Sequence, residues 1–342
     1  MFLDLPESEL RAYRSAQTVP DDFDEFWAGT IDAAGSHPLL RSVVQVDAGL
    51  ATVDVFDVRF GGFEGEEIAA WLRIPRGVDG PLPAVVQFHG YGRGRGDAVE
   101  NLLWASAGYA HFEMDTRGQG WSGSRGVTPD SGSTAPQMPG FVTRGAEDKA
   151  TYYYRRLFTD AVRAVEAARS FEVVDAERVA VLGVSQGGGI ALAVAGLVPG
   201  IAQVIARVPF LCDFPRASVI TDRMPFREIA DYLAHFRDSA ERVHRTLSYF
   251  DGVNFAARAD APATFTVALM DPICPPSTVY AAYNAYAGEK VIHSWTYNAH
   301  EGGGVDDDVL SLRVLRDAFA EPGAAERGAP QDAVPSPLRN GM

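Results

Sequence analysis

From Pro83 onward, short apolar runs alternate with longer stretches whose apolar positions recur at helical spacing. Residues 84–88, 109–114, 178–182, 203–208, 263–269 and 291–297 are short apolar strand candidates. Between two of them, Ala161, Ala164, Val165 and Ala168 fall on one face of a helix. Strands that alternate with helices predict an α/β fold, with a mainly parallel central sheet and helices on both faces. Ahead of this region, residues 52–60 alternate apolar and polar positions and residues 67–74 form a second strand-like run. Gly61-Gly62-Phe63-Glu64-Gly65 between them predicts a hairpin loop.

Other segments break the rhythm. Residues 1–40 predict a helical cap: Pro6-Glu7-Ser8-Glu9-Leu10 opens one helix, and Asp21-Asp22-Phe23-Asp24-Glu25-Phe26-Trp27 opens another with acids in its first turn. Residues 124–139, rich in Gly, Pro, Ser and Thr, read as an ordered excursion. Residues 210–260 read as a helical insertion ahead of the next strand, and residues 321–342, Pro/Gly/Ala-rich and aperiodic, as a mobile tail. The expected organisation is one domain over residues 1–320. At 342 residues the chain is long enough for two, but α/β folds often reach this size as one.

Chemistry enters at Gly183-Val184-Ser185-Gln186-Gly187. An apolar strand precedes this run and a tight-packing helix sequence follows it. A serine held between strand and helix, with glycines two residues away on each side, has a strained backbone that lifts its hydroxyl clear of the sheet. This is the nucleophile elbow of serine hydrolases and predicts an α/β-hydrolase fold; the bland alternative is a Gly-rich turn with an incidental serine. A serine hydroxyl needs a general base held by a carboxylate, and in this fold the order is serine, acid, histidine. Asp271 follows one predicted strand and His300 follows the next, in Asn298-Ala299-His300-Glu301-Gly302-Gly303. His293 lies within its strand, His235 and His244 sit in the insertion, Asp260 precedes its strand, and Asp306, Asp307 and Asp308 lie beyond the histidine.

Acyl transfer also needs two N–H donors aimed at the developing oxyanion. The amide of Gln186 is one candidate. The other is Tyr91, in Phe88-His89-Gly90-Tyr91-Gly92-Arg93-Gly94, where His89 reads as a structural residue. Asp115-Thr116-Arg117-Gly118-Gln119-Gly120 lacks the Walker lysine and the dinucleotide glycine spacing, so Arg117 reads as a buried charge clamp.

Charge and cysteines narrow the class. A net charge of -15 with no Lys/Arg cluster argues against nucleic acid or an acidic membrane as partner and suits a small neutral substrate. The N-terminal stretch, with Asp4, Pro6, Glu7 and Glu9, has no secretory-leader pattern. Residues 189–212 could mimic a membrane span, but Pro199, Gln203, Arg207 and Pro209 interrupt them. Two cysteines, Cys212 and Cys274, suit a reduced cytoplasmic chain with structural thiols, a bridge between them being the alternative. No metal-binding or cofactor motif occurs, so neither is expected.

Taken together, these motifs resemble the acetyl xylan esterase/cephalosporin C deacetylase family, carbohydrate esterase family seven. Arg117-Gly118-Gln119, Gly183-Val184-Ser185-Gln186-Gly187 and His300-Glu301 carry the resemblance. Asp24-Glu25-Phe26-Trp27, Thr151-Tyr152-Tyr153-Tyr154-Arg155-Arg156, Ser248-Tyr249-Phe250-Asp251-Gly252-Val253-Asn254-Phe255-Ala256-Ala257-Arg258 and Met270-Asp271-Pro272-Ile273-Cys274-Pro275-Pro276-Ser277-Thr278 extend it over about residues 2–318. The resemblance implies a serine carboxylesterase that deacetylates xylo-oligosaccharides and cephalosporin C. Its triad would fall on Ser185, Asp271 and His300, and its oxyanion donors on Tyr91 and Gln186. It further implies a homo-oligomer, commonly a ring-like hexamer, and an acyl pocket narrowed by Pro225 and Ile273. Trp121 follows Gly120 at once, where the family often has tryptophan two residues later. With residues 124–139 it marks a departure on the alcohol side of the pocket. The rival expectations are a prolyl-oligopeptidase-like peptidase and a non-catalytic binding protein on the same fold.

Overall fold

The computed structural model describes residue 2 and residues 4–78, 80–132 and 139–320. Nine strands form one sheet: β1 Leu40–Val46, β2 Val53–Gly61, β3 Glu67–Pro75, β4 Leu82–Phe88, β5 Ala110–Met114, β6 Val174–Val184, β7 Gln203–Arg207, β8 Ala263–Ala268 and β9 Lys290–Trp295. Their spatial order is β1-β2-β3-β5-β4-β6-β7-β8-β9. The first three pair antiparallel and β3 meets β5 antiparallel, whereas every contact from β5 to β9 is parallel. This is the mainly parallel α/β architecture the strand pattern predicts, in the form of the α/β-hydrolase fold expected from the serine elbow and the family resemblance.

Alternation of side chains along the strands divides the core in two. Val86, Val181, Val204 and Ala206 pack with the helices Tyr153–Arg169 and Gln186–Leu197. Their neighbours Val85, Ala180, Leu182 and Ile205 pack instead with Trp104, Leu315 and Phe319 on the other face. Both faces are therefore dry, which is why these strands read as continuous apolar runs.

The N-terminal cap forms as expected. In the helix Phe23–Gly35 the buried residues Phe23, Trp27, Thr30 and Ala34 lie on one stripe, and Trp27 Nε1 donates to the Tyr249 carbonyl at 2.9 Å. The insertion also forms, as the helices Phe214–Ile220, Arg227–His235, Ala240–Ser248 and Gly252–Ala256 between β7 and β8. Strand β1 has no counterpart in the hydrophobic pattern. Nearly all its side chains are exposed, so backbone pairing to β2 places it at the sheet edge without an inward-facing alternation to announce it. Cys212 and Cys274 are both buried free thiols, which removes the bridged alternative. The expected mobile tail at 321–342, and part of the expected excursion at 124–139, lie outside the described residues. Among the described residues, no helix is long and apolar enough to cross a membrane.

Candidate active site

Ser185 stands between the last residue of β6 and the first of the helix Gln186–Leu197, with φ 57° and ψ -118°. This is a left-handed conformation that L side chains rarely adopt. Close packing explains the flanking glycines. A Cβ on Gly183 would lie 2.1 Å from the Gly187 carbonyl carbon, and one on Gly187 would lie 2.2 Å from the Phe88 oxygen. The turn is pinned from below, because Ser185 N donates to the Arg207 carbonyl at 2.9 Å.

The three candidate residues meet at that turn. Ser185 Oγ lies 3.0 Å from His300 Nε2, and His300 Nδ1 lies 2.8 Å from Asp271 Oδ2. Asp271 is fully buried, and its other oxygen accepts the N–H groups of Ile273 and Cys274 at 2.8 and 3.0 Å. The carboxylate is thus held still and accepts the Nδ1 proton, which leaves Nε2 free to accept from the serine hydroxyl. The loop carrying His300 is held in turn by Asp307, which accepts from Gly303 N at 2.8 Å and Trp295 Nε1 at 2.9 Å. Position alone sets Asp307 aside as the triad acid; its role as the anchor of the histidine loop emerges only in three dimensions.

Both expected oxyanion donors adjoin the nucleophile. Gln186 opens its helix, so its N–H belongs to the first-turn group that no helical carbonyl can reach. Tyr91 follows Gly90, where an ideal Cβ would sit 3.9 Å from Ser185 Cβ. The Arg117-Gly118-Gln119 motif holds these pieces together. Gln119 Oε1 accepts from Gly92 N at 2.7 Å, and Gln119 Nε2 donates to Gln186 Oε1 at 3.0 Å. Tyr154 donates to the same Gln186 oxygen at 2.9 Å. Arg117 is the buried clamp its context predicts: it pairs with both oxygens of Asp160 at 2.5 and 2.8 Å and with Glu66 at 2.5 Å.

Sequence reading misses Glu228. Its carboxylate, 3% exposed, accepts the Tyr91 hydroxyl at 2.5 Å and Val142 N at 2.9 Å, while the Tyr91 oxygen accepts Phe141 N at 2.6 Å. Burial pushes the carboxyl up to about 7, against the hydrogen bonds from Tyr91 and the backbone that favour its charged form. Glu228 thereby ties the helical insertion to the oxyanion loop, across 137 residues of chain. Burial also lowers the affinity of His89 for a proton, despite Glu113 nearby, in keeping with a structural role rather than that of a second base.

Ser185 and His300 open into a cavity of about 630 Å³ whose wall includes Tyr91, Pro225 and Ile273, as expected. Trp121 is not part of that wall. It is 59% exposed, stacks on Phe141 at 5.5 Å and meets the Tyr91 ring edge-on. Asp271, Cys274 and His300 offer donor atoms within 4.8 Å of one another, the spacing of a metal site. The carboxylate and imidazole are already bonded to each other, and burial pushes the Cys274 thiol well up, so the cluster is the triad itself.

Comparison with known proteins bears on this geometry. Residues 1–314 match the model of the family described as acetyl xylan esterase (AXE1). The acetyl xylan esterase from Paenibacillus sp. R4 superposes with a TM-score of 0.87 at 39% identity, over 92% of this chain and 99% of that one. Acetyl xylan esterase 1 from Thermoanaerobacterium sp. JW/SL YS485 superposes at 0.85 with 33% identity, over 93% and 100%. The acetyl esterase Axe7A of Xylanibacter ruminicola is 29% identical over 280 residues, 79% of this chain. The aligned stretch spans 61% of that protein's own length. An acylaminoacyl peptidase from Pyrococcus horikoshii superposes at 0.58 with 18% identity, a likeness of fold alone.

Proposed function

Because this chain belongs to the acetyl xylan esterase family, we propose that it is a serine-type carboxylic ester hydrolase that removes acetyl groups from small acetylated molecules. The observation that carries this reading is the unbroken hydrogen-bonded line Asp271–His300–Ser185 ending in an open cavity. Ser185 Oγ attacks the acetyl carbonyl carbon while His300 Nε2 takes its proton. Asp271 holds the imidazole and stabilises the charge it acquires. The carbonyl oxygen, now negative, receives the N–H groups of Tyr91 and Gln186. As the tetrahedral adduct collapses, the C–O bond to the alcohol breaks and His300 returns its proton to that oxygen. Water then repeats the sequence on the acetyl-enzyme, releasing acetate and restoring Ser185.

Pro225, from the insertion, and Ile273, from the Asp271 loop, share the cavity with the nucleophile and would limit the acyl group to acetyl size. Acetylated xylo-oligosaccharides and cephalosporin C are the substrates this reading favours. Ser185→Ala should abolish acetate release from p-nitrophenyl acetate while leaving the melting temperature near that of the wild type. Hydrolysis retained by that variant would remove Ser185 from the mechanism. Rates compared across acetylated xylo-oligosaccharides, cephalosporin C and butyryl esters would then rank the alcohols and test the acyl limit.

A further inference from the structure

Beyond Ser185, the cavity continues along a wall that the steps above do not use, formed by Arg93, Glu100, Asn101, Gly123 and Ser124. Most polar groups there are engaged with their own surroundings. Asn101 Nδ2 donates to buried Glu113, Ser124 Oγ donates to the Gly94 carbonyl, and Glu100 accepts from Asp97 N. Arg93 differs. It is the only lysine or arginine on the cavity wall, and among the described residues its guanidinium has no hydrogen-bond or ion-pair partner.

Its seat is shaped for it. Gly123 has φ +80°, and a Cβ there would come within 2.9 Å of the guanidinium carbon and 3.0 Å of one of its nitrogens. The planar head therefore lies against bare backbone, a position that any side chain at 123 would take. The stem and the nucleophile both border Gly90: an ideal Cβ there would lie 3.9 Å from Arg93 Cδ and 3.9 Å from Ser185 Cβ. Burial lowers the proton affinity of His89, against the pull of Glu113 and Asp115, and Arg73 and then Arg93 add to the lowering.

A guanidinium presents a rigid fork of N–H donors that matches a carboxylate. Arg93 is exposed, so its guanidinium, unpaired although Glu100 and Glu301 share its cavity, is open to a ligand entering from solvent. We propose that Arg93 binds a carboxylate on the alcohol part of the substrate, so that acetyl esters of acidic alcohols, such as hydroxy acids and acidic sugars, are the preferred class. This rests on the acetyl esterase reading and narrows it. The neutral-substrate expectation drawn from net charge is revised at one point only: the surface and the two glutamates of the cavity repel anions, but the unpaired Arg93 guanidinium offers a single local cation to a carboxylate.

The test uses 3-acetoxybenzoate and its uncharged carboxamide, each assayed for kcat/KM with the wild type, Arg93→Gln and Arg93→Lys. Comparing the anion-to-amide ratio between enzymes cancels the intrinsic reactivity of the two esters. Arg93→Gln should lower that ratio about three- to tenfold, the range for a charge-assisted contact partly open to solvent. Arg93→Lys should restore much of it, and added salt should shrink the wild-type ratio toward that of Arg93→Gln. A ratio unchanged by Arg93→Gln overturns the proposal. Calorimetric binding of 3-hydroxybenzoate against 3-hydroxybenzamide, with Ser185→Ala and Ser185→Ala/Arg93→Gln, separates the two readings. A carboxylate preference lost with Arg93 supports the site even if neither ester is hydrolysed, an outcome that would sink the esterase reading alone. Equal binding of the two compounds to Ser185→Ala overturns the site whatever the turnover.

Discussion

Replacing Glu228 by glutamine exposes how the fold holds its oxyanion loop. Burial raises the Glu228 carboxyl from an ordinary 4.5 to about 7. A carboxyl whose folded value is raised binds its proton more tightly when folded. Its stabilising contribution is therefore complete below about pH 4.5 and disappears as pH rises through about 7. Between pH 5.5 and 8.5 the wild type should lose about 2 kcal/mol of stability on this account, whereas Glu228→Gln, neutral throughout, should not. In a protein of this size that corresponds to roughly 3 °C in melting temperature. Asp251, buried and also raised to about 7, has the same sign but is present in both proteins, so it cancels in the comparison. Differential scanning calorimetry of the two proteins at both pH values reads the difference directly. Parallel pH dependences would refute the reasoning. Glutamine should also cost activity. Its oxygen can still accept from Tyr91, but its NH₂ then faces the Val142 N–H, donor against donor, and the loop carrying the Tyr91 amide is freed to shift. A fall in kcat of about tenfold, with KM changed less, is expected, against the hundredfold or more seen when an oxyanion donor is removed outright.

Two further perturbations probe the site and its frame. Asp271→Asn should keep the fold but present an N–H where His300 Nδ1 needs an acceptor, favouring the wrong tautomer. Steady-state kinetics should show kcat reduced about 10³- to 10⁴-fold, and a loss below tenfold would point to another orienting group. Arg117→Ala leaves the fully buried Asp160 carboxylate without its partner and should cost about 3–5 kcal/mol in denaturant unfolding. A change under 1 kcal/mol would mean that the clamp is not structural.

Each part of the triad was readable because it carries a local signature. Gly183, Ser185 and Gly187 lie between an apolar strand and a helix, and the φ of Ser185 and the contacts of both glycines account for that spacing. Asp271 and His300 each follow a strand of the parallel sheet, where the chain order of the fold already places acid and base. Parallel strands buried on both faces also mark themselves as apolar runs, so the architecture followed from periodicity. Strand β1 did not, because an exposed edge strand needs only backbone pairing.

Glu228, Asp307 and Arg93 had no such signature. A glutamate in the first turn of a helix looks the same whether it faces water or, as here, a tyrosine 137 positions away. An arginine in a Gly-rich loop gives no sign that it will stand unpaired beside a nucleophile, and Trp121, beside the expected pocket in sequence, turns to solvent instead. Chain order and periodicity encode backbone path and the residues that must sit at strand ends. Burial, charge pairing and the walls of the cavity depend on which distant segments pack together, and that information exists only once they have done so.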